Sequence, residues 1–268
     1  MMDLVDVQLD HPRGGAPLVS GANLKVAAGE VVVIVGAAGV GTSRMVAAAL
    51  GEVPTSAGRI EVMGRDVSKL RRSSLRLLRR RIGIVPQDLC LLEDRSAQLN
   101  VMLPLEIDGI PRSISLARAD ECLARMGLEA EAQLPVDCLS SSVRQRVAVA
   151  RALVRDPQLV LADHPTCAQD AEGCERICDT FAEVASRGTT VVVFGRDPAL
   201  RAIAERNRWR QLGMVDGMLR PLGEIELDGR TIEEILVGIE SAPTTVRPDP
   251  AIPNVIPFPI TARTAGAR

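Results

Sequence analysis

The sequence predicts an α/β fold with a mainly parallel sheet, an added antiparallel β part and an inserted helical subdomain. Three observations carry that reading. Val31-Val32-Val33-Ile34-Val35 is a β-branched run with no polar face, as expected of a strand buried on both sides in a parallel sheet. It leads into a glycine-rich turn, Gly36 to Gly41, and then into helix-forming Met45-Val46-Ala47-Ala48-Ala49-Leu50. The same alternation returns later, with apolar strands over 158–162 and 190–194 on either side of a helical stretch over 171–186.

The other elements follow in order. Leu4-Val5-Asp6-Val7-Gln8-Leu9 alternates like a half-exposed strand, and 23–26 reads as another before the Ala28-Gly29-Glu30 turn. A strand over 59–63 precedes a basic helical stretch over 70–81 and a short strand over 82–85. From about 91 to 142 the pattern is helical and more polar, with breaks expected at Pro104, Pro111 and Pro135, and this is the insertion. A helix over 143–155 follows it, and 208–219 reads as a hairpin around Asp216-Gly217. The domain organisation expected is therefore one α/β unit over 1–222, a short helical extension over 223–240 with a helix at 231–240, and a tail over 241–268. The tail holds six prolines in 28 residues, which excludes regular helix or a sheet interior. Its composition predicts disorder, the alternative being that apolar Ile252 to Ile260 docks in extended form on a partner.

Composition narrows the function. At 268 residues, 46% hydrophobic and 25% charged, the chain has the make-up of an ordinary globular protein. A net charge of -2 argues against a general nucleic-acid binder, and no apolar run reaches the roughly 18 residues of a membrane span. The start, Met-Met-Asp-Leu-Val-Asp, lacks the basic and apolar regions of a signal peptide, so a cytoplasmic location is expected. Cys90, Cys122, Cys138, Cys167, Cys174 and Cys178 show no paired zinc spacing; Cys174 and Cys178 share a helix face as packing residues. The chain has no tyrosine, the histidines are His11 and His164, and the lysines are Lys25 and Lys69, so nearly all positive charge is arginine.

A glycine-rich turn between a buried strand and a helix aims backbone N–H groups and the helix dipole at one spot, which suits a phosphate. The usual spacing is GxxxxGK followed by Ser or Thr. Here Gly36, Gly41 and Ser43 are in register, Gly39 lies between them, and Thr42 stands where the lysine belongs. The next cation, Arg44, points roughly 100° around the helix from Ser43 and would have to curl back to replace it.

Further motifs follow in one order. Pro54-Thr55-Ser56-Ala57-Gly58-Arg59-Ile60 comes after the first helix, then Ile84-Val85-Pro86-Gln87-Asp88, then Leu91-Leu92 through Asn100-Val101 and Pro104-Leu105. Leu139-Ser140-Ser141-Ser142-Val143 precedes Gln145-Arg146-Val147-Ala148-Val149-Ala150-Arg151-Ala152-Leu153, and Leu159-Val160-Leu161-Ala162-Asp163-His164-Pro165-Thr166 closes the series. From about residue 2 to 222 this arrangement resembles the ATP-binding subunits of ABC transporters, and among them the group of FtsE, LolD and MacB. The resemblance implies a P-loop NTPase-type sheet in the ABC ATPase fold. It makes Gln87 the Q-loop glutamine, Asp163 the Walker B aspartate and Ser140, Ser141, Ser142 and Val143 the signature segment. It assigns nucleotide binding to Gly36, Gly39, Gly41, Thr42, Ser43, Arg44, Gln87 and Asp163, with Mg²⁺ on Ser43, Gln87 and Asp163.

The departures from the family pattern fall on its catalytic positions. His164 replaces the glutamate that polarises water, Arg196 replaces the switch histidine, and Thr42 replaces the lysine. The signature glycines are Ser141 and Ser142, the D-loop reads Cys167-Ala168-Gln169-Asp170, and His11 is the only ring near the adenine position. Loss of a positioned base lowers rates by about 10² to 10⁴. The expectation is a pseudo-ATPase that binds MgATP or MgADP weakly or not at all. The resemblance further implies a permease-like membrane partner contacted near 87–105, attachment at the inner face of the membrane, and a dimer with itself or with an active ABC ATPase. The alternative is an active ATPase working with these unusual residues to power a FtsX- or MacB-type membrane complex. The arginines of 71–81 form either a solvated face or a surface for anionic lipid or acidic loops.

Overall fold

In the computed structural model, which describes residues 1–36, 39 and 41–222, two sheets and an inserted helical layer enclose two hydrophobic cores. The chain opens with antiparallel strands β1 (Met2–Leu9) and β2 (Val19–Val26), then β3 (Val31–Gly36) and helix α1 (Thr42–Ala49). Next come β4 (Ala57–Val62), β5 (Arg65–Asp66), α2 (Arg72–Arg79) and β6 (Ile82–Val85). The insertion consists of α3 (Ala97–Ile107) and α4 (Arg112–Arg125), and α5 (Ser141–Leu153) returns the chain to the sheet. β7 (Leu159–Asp163), α6 (Ala171–Ser186), β8 (Thr190–Phe194), α7 (Pro198–Arg206), β9 (Arg210–Val215) and β10 (Met218–Pro221) complete it.

One sheet has the order β2-β1-β4-β5 and is antiparallel; the other has the order β10-β9-β3-β8-β7-β6 and is parallel except for β10. In β3, Val31, Val33 and Val35 face the core beneath the helical layer, whereas Val32 and Ile34 face the core shared with the antiparallel sheet. β7 and β8 alternate in the same way, with Val160 and Val191 on one side and Leu161 and Val192 on the other. The two-sided burial expected of the β-branched run is therefore observed.

The structure moves some predicted boundaries. β2 begins at Val19 rather than Asn23, because an irregular register around left-handed Gly21 breaks the alternation without ending the pairing. The break expected at Pro104 is absent: α3 runs through it to Ile107. One missing N–H bond is offset there by burial of Val101, Met102 and Leu105, and the Pro104 carbonyl accepts from Arg155 Nε at 3.1 Å. Pro111 and Pro135 do mark boundaries, capping α4 and a 3-10 turn. The basic helical stretch over 70–81 is observed as α2 (Arg72–Arg79), preceded by a 3-10 turn, Val67–Lys69. Helix α7 was not anticipated, and the helix expected over 231–240 and the tail over 241–268 lie outside the described residues. No helix among the described residues is long and apolar enough to cross a membrane.

β6 and α5 approach so closely that only glycine fits between them: a Cβ at Gly83 would stand 2.3 Å from the Ala152 carbonyl oxygen. That contact, together with Arg151 donating to the Leu89 and Cys90 carbonyls at 2.5 and 2.6 Å, ties the segment after β6 to α5.

Candidate functional site

The site lies at the carboxyl ends of β3, β6, β7 and β8, where parallel strands of an open α/β sheet present their loops. Gly41 enters α1 with φ 100°, a left-handed conformation that glycine adopts without strain. A Cβ there would also sit 3.1 Å from Val19 Cγ2 and 3.2 Å from Leu18 Cβ. Gly39 has φ 83° and open space around it, and Gly36 is buried at the end of β3. Residues 37, 38 and 40 of the same turn lie outside the described residues.

At the start of α1, Thr42 is buried and Ser43 is exposed. The Ser43 hydroxyl donates to Asp163 Oδ2 at 2.5 Å and lies 3.5 Å from Gln87 Oε1. Three elements far apart in sequence thus converge on one hydroxyl, and the residues expected to hold Mg²⁺ form a single oxygen cluster. Asp163 is only 3% exposed, and its Oδ1 has no hydrogen-bond partner among the described residues. A buried carboxylate oxygen left unpaired is costly, and such a donor set suits a hard cation. Burial pushes the Asp163 carboxyl above its ordinary value, and the Ser43 hydrogen bond and the neighbouring His164 partly reverse that. Arg44 is half-buried with Nε unpartnered; nothing links its side chain to Ser43 or Asp163.

His164 follows in the left-handed region at φ 52°, which is strained for a residue with a Cβ. Its N–H donates to the Phe194 carbonyl at 2.7 Å and Nε2 stands 3.9 Å from Asp163 Oδ1. Burial lowers the imidazole pKa, Asp163 opposes that, and Arg196 lowers it further, so the neutral ring is favoured. Arg196 is exposed on the loop after β8. A neutral imidazole beside a guanidinium can accept a proton only weakly, and it lacks the negative charge with which a carboxylate orients water.

Ser140 caps α5, its Oγ accepting from Val143 N–H at 3.4 Å and lying 3.1 Å from the Ser142 hydroxyl. These serines bond each other and α5 rather than Ser43, Gln87 or Asp163. They communicate with the cluster through Gln145, a residue the motif reading placed only as part of a helix. Gln145 is 2% exposed; its Nε2 donates to the His164 carbonyl at 2.8 Å, and its Oε1 accepts from Ala168 N–H and Gln169 Nε2, each at 3.1 Å. Gln169 Nε2 also donates to the Ser142 carbonyl at 2.8 Å. A buried amide pinned on both ends has no periodicity to betray it; its position directly after the signature segment was the available clue. Cys174 and Cys178 are buried on α6, and no cluster of metal-ligating side chains is found among the described residues.

The family model described as "ABC transporter" matches residues 19–167. The chain belongs to the ABC transporter ATP-binding family. It is 38% identical over 208 residues to the methionine import ATP-binding protein MetN of Caulobacter vibrioides, a match covering 77% of this chain and 63% of that protein. It is 35% identical over 209 residues to the macrolide export ATP-binding/permease protein MacB of Escherichia coli K12, covering 77% of this chain and 32% of that one. The chain thus spans under two thirds of these relatives. Among solved structures, the ATP-binding cassette MJ0796, a dimer bound to ADP and Pi in a post-hydrolysis state, superposes with a TM-score of 0.75. That match has 30% identity and covers 82% of this chain and 97% of the other. Fold and family are as the motif order implied.

Proposed function

We propose that the chain is an ATP-binding-cassette subunit that keeps the nucleotide cradle and has lost most or all hydrolysis, acting as a structural or regulatory partner of a permease-like membrane protein. The observation that carries this is the pairing of a formed Ser43–Gln87–Asp163 cluster with His164, not a carboxylate, beside it. Thr42 removes the charge that would meet the β- and γ-phosphates, and Arg196 adds a positive charge near the imidazole. The residues present fit Mg²⁺ and an ATP or ADP phosphate through Ser43, Gln87 and Asp163, with affinity lowered by the missing lysine. Bound Mg²⁺ would supply charge neutralisation of the phosphates; the chain supplies orientation through α1 and the turn before it.

Within this reading the subunit sits peripherally at the cytoplasmic face of the membrane and meets its partner near 87–105. It pairs with a second copy or with an active ATPase, whose site Ser140–Ser142 would close. Membership of the narrower FtsE, LolD and MacB group belongs to the same proposal. The second reading, an active ATPase with unusual residues powering a FtsX- or MacB-type complex, draws on the same assembled oxygen cluster. Steady-state ATP hydrolysis by the purified chain, alone and with its membrane partner, decides between them. Turnover that disappears in Asp163→Asn establishes the second reading, whereas turnover indistinguishable from that variant supports the first.

A further inference from the structure

Asp163 divides its two carboxylate oxygens between different neighbours. Oδ2 accepts from the Ser43 hydroxyl at 2.5 Å, whereas Oδ1 is buried without a hydrogen-bond partner among the described residues. The group facing Oδ1 is the His164 imidazole, with Nε2 at 3.9 Å. That separation is too long for a hydrogen bond, and neither ring nitrogen makes one among the described residues. Two unpaired ligand atoms, one oxygen and one nitrogen, thus face each other across a gap. A metal ion bonded to both at about 2.1 Å each spans up to about 4.2 Å, so the gap is within its reach. A right-angled arrangement needs the two atoms about 3 Å apart, and rotation of the ring, whose side chain is 16% exposed, closes the difference.

The backbone holds the ring in that place. His164 sits at φ 52°, its N–H donates to the Phe194 carbonyl at 2.7 Å, and its carbonyl accepts from Gln145 Nε2 at 2.8 Å. Pinning on both sides of a strained residue is the pattern of a positioned functional group. Mg²⁺ takes oxygen ligands and dehydrates reluctantly, whereas an imidazole nitrogen suits divalent transition metals. The oxygens of Ser43 and Gln87, on the Oδ2 side, serve the first kind of ion; Oδ1 with Nε2 serves the second. We infer that the site takes its nucleotide with a divalent first-row transition metal, held by His164 Nε2 and Asp163 Oδ1, in preference to Mg²⁺. The inference rests on the nucleotide cradle proposed above and gives the histidine at this position a binding role. No group of three or more His, Cys, Asp and Glu side chains gathers among the described residues, so the two protein ligands do not hold the ion alone. Phosphate oxygens and water complete its shell, and the phosphate offsets the positive charge that exposed Arg196 places near the ring. Metal and nucleotide therefore bind as a pair.

Electron spin-echo modulation of Mn²⁺ tests it, on the metal-stripped full chain with saturating MnADP. Modulation from a directly bound nitrogen is expected, and growth on ¹⁵N-histidine should shift it, which separates an imidazole from the adenine nitrogens. His164→Asn, with a side chain that tolerates the left-handed backbone, should abolish the signal and so assign it to this ring rather than to His11. In calorimetry with preformed complexes, MnADP is expected to bind at least about tenfold more tightly than MgADP, the least that a lost partner costs at a metal site, and His164→Asn should bring the two affinities together. Should that variant not fold by circular dichroism, the labelled unaltered chain decides. Bound MnADP without nitrogen modulation, a signal that survives in His164→Asn, or equal affinity for MnADP and MgADP in the unaltered chain overturns the inference. Ligation of bound MnADP by oxygen alone leaves the proposed loss of hydrolysis standing, because the cradle is still filled. ATP turnover that Asp163→Asn abolishes overturns that loss and leaves the nitrogen signal untouched. Failure to bind ADP with either ion overturns the inference and the cradle together.

Discussion

Replacing Gln145 with alanine removes the amide that joins α5 to the loop after β7, and the structure sets the size of the effect. Three hydrogen bonds to N–H and carbonyl groups are lost, at 2.8, 3.1 and 3.1 Å, together with a weaker contact to Cys167 Sγ at 3.2 Å. Each such bond contributes about 0.5–1.5 kcal/mol net, and the half-buried His164 carbonyl and Ala168 N–H left behind add some desolvation cost. A loss of about 2–4 kcal/mol is expected in urea unfolding followed by circular dichroism. Gln145→Met fills most of the volume and restores no hydrogen bond, so it is expected to lose about as much; recovery in the methionine variant would assign the effect to a cavity instead. Amide exchange over 164–169 should accelerate in both variants. A change below about 0.5 kcal/mol, the scale of surface substitutions, would refute the view that Gln145 fixes this loop.

Three further outcomes follow from the same geometry. Burial holds the folded-state Asp163 carboxyl above its unfolded value, so its contribution to stability is complete below about pH 4 and is lost as pH rises through the raised value. Asp163→Asn should therefore match the wild type near pH 4 and exceed it in urea midpoint near pH 7 in magnesium-free buffer; a lower midpoint at neutral pH contradicts the assignment. Thr42→Lys should tighten MgADP binding about 10- to 150-fold by calorimetry, the value of one charge-assisted contact of about 1.5–3 kcal/mol, and an unchanged affinity would show that no phosphate reaches α1. Gly83→Ala places a Cβ 2.3 Å from the Ala152 carbonyl oxygen and should cost about 1–3 kcal/mol or more; a neutral result would mean that β6 and α5 separate easily.

Much of the architecture was legible because burial on both faces leaves a compositional trace. Val31 to Val35 and Thr190 to Val193 hold no charged residue, and α6 is bracketed by Asp170 at its cap and Gly188 just beyond its end. Helix α7 was missed although Asp197 accepts from Ala199 N–H and Pro198 occupies its first turn, a start signal with a known mechanism. Pro104 misled because a proline's local penalty is read from sequence while the packing that offsets it is not. Within the site, Ser43, Gln87 and Asp163 were readable from motif order, and the structure brings them together. Gln145 was not, since its meaning depends on which loop lies opposite.

The alternation along β3, β7 and β8 has a calorimetric consequence. Successive residues of one strand insert into opposite cores, so neither the helical layer nor the antiparallel sheet can come away without stripping a face from the same three strands. Heating should therefore melt residues 1–222 in a single endotherm, however many subdomains the outline suggests, and a van't Hoff enthalpy close to the calorimetric one is its signature.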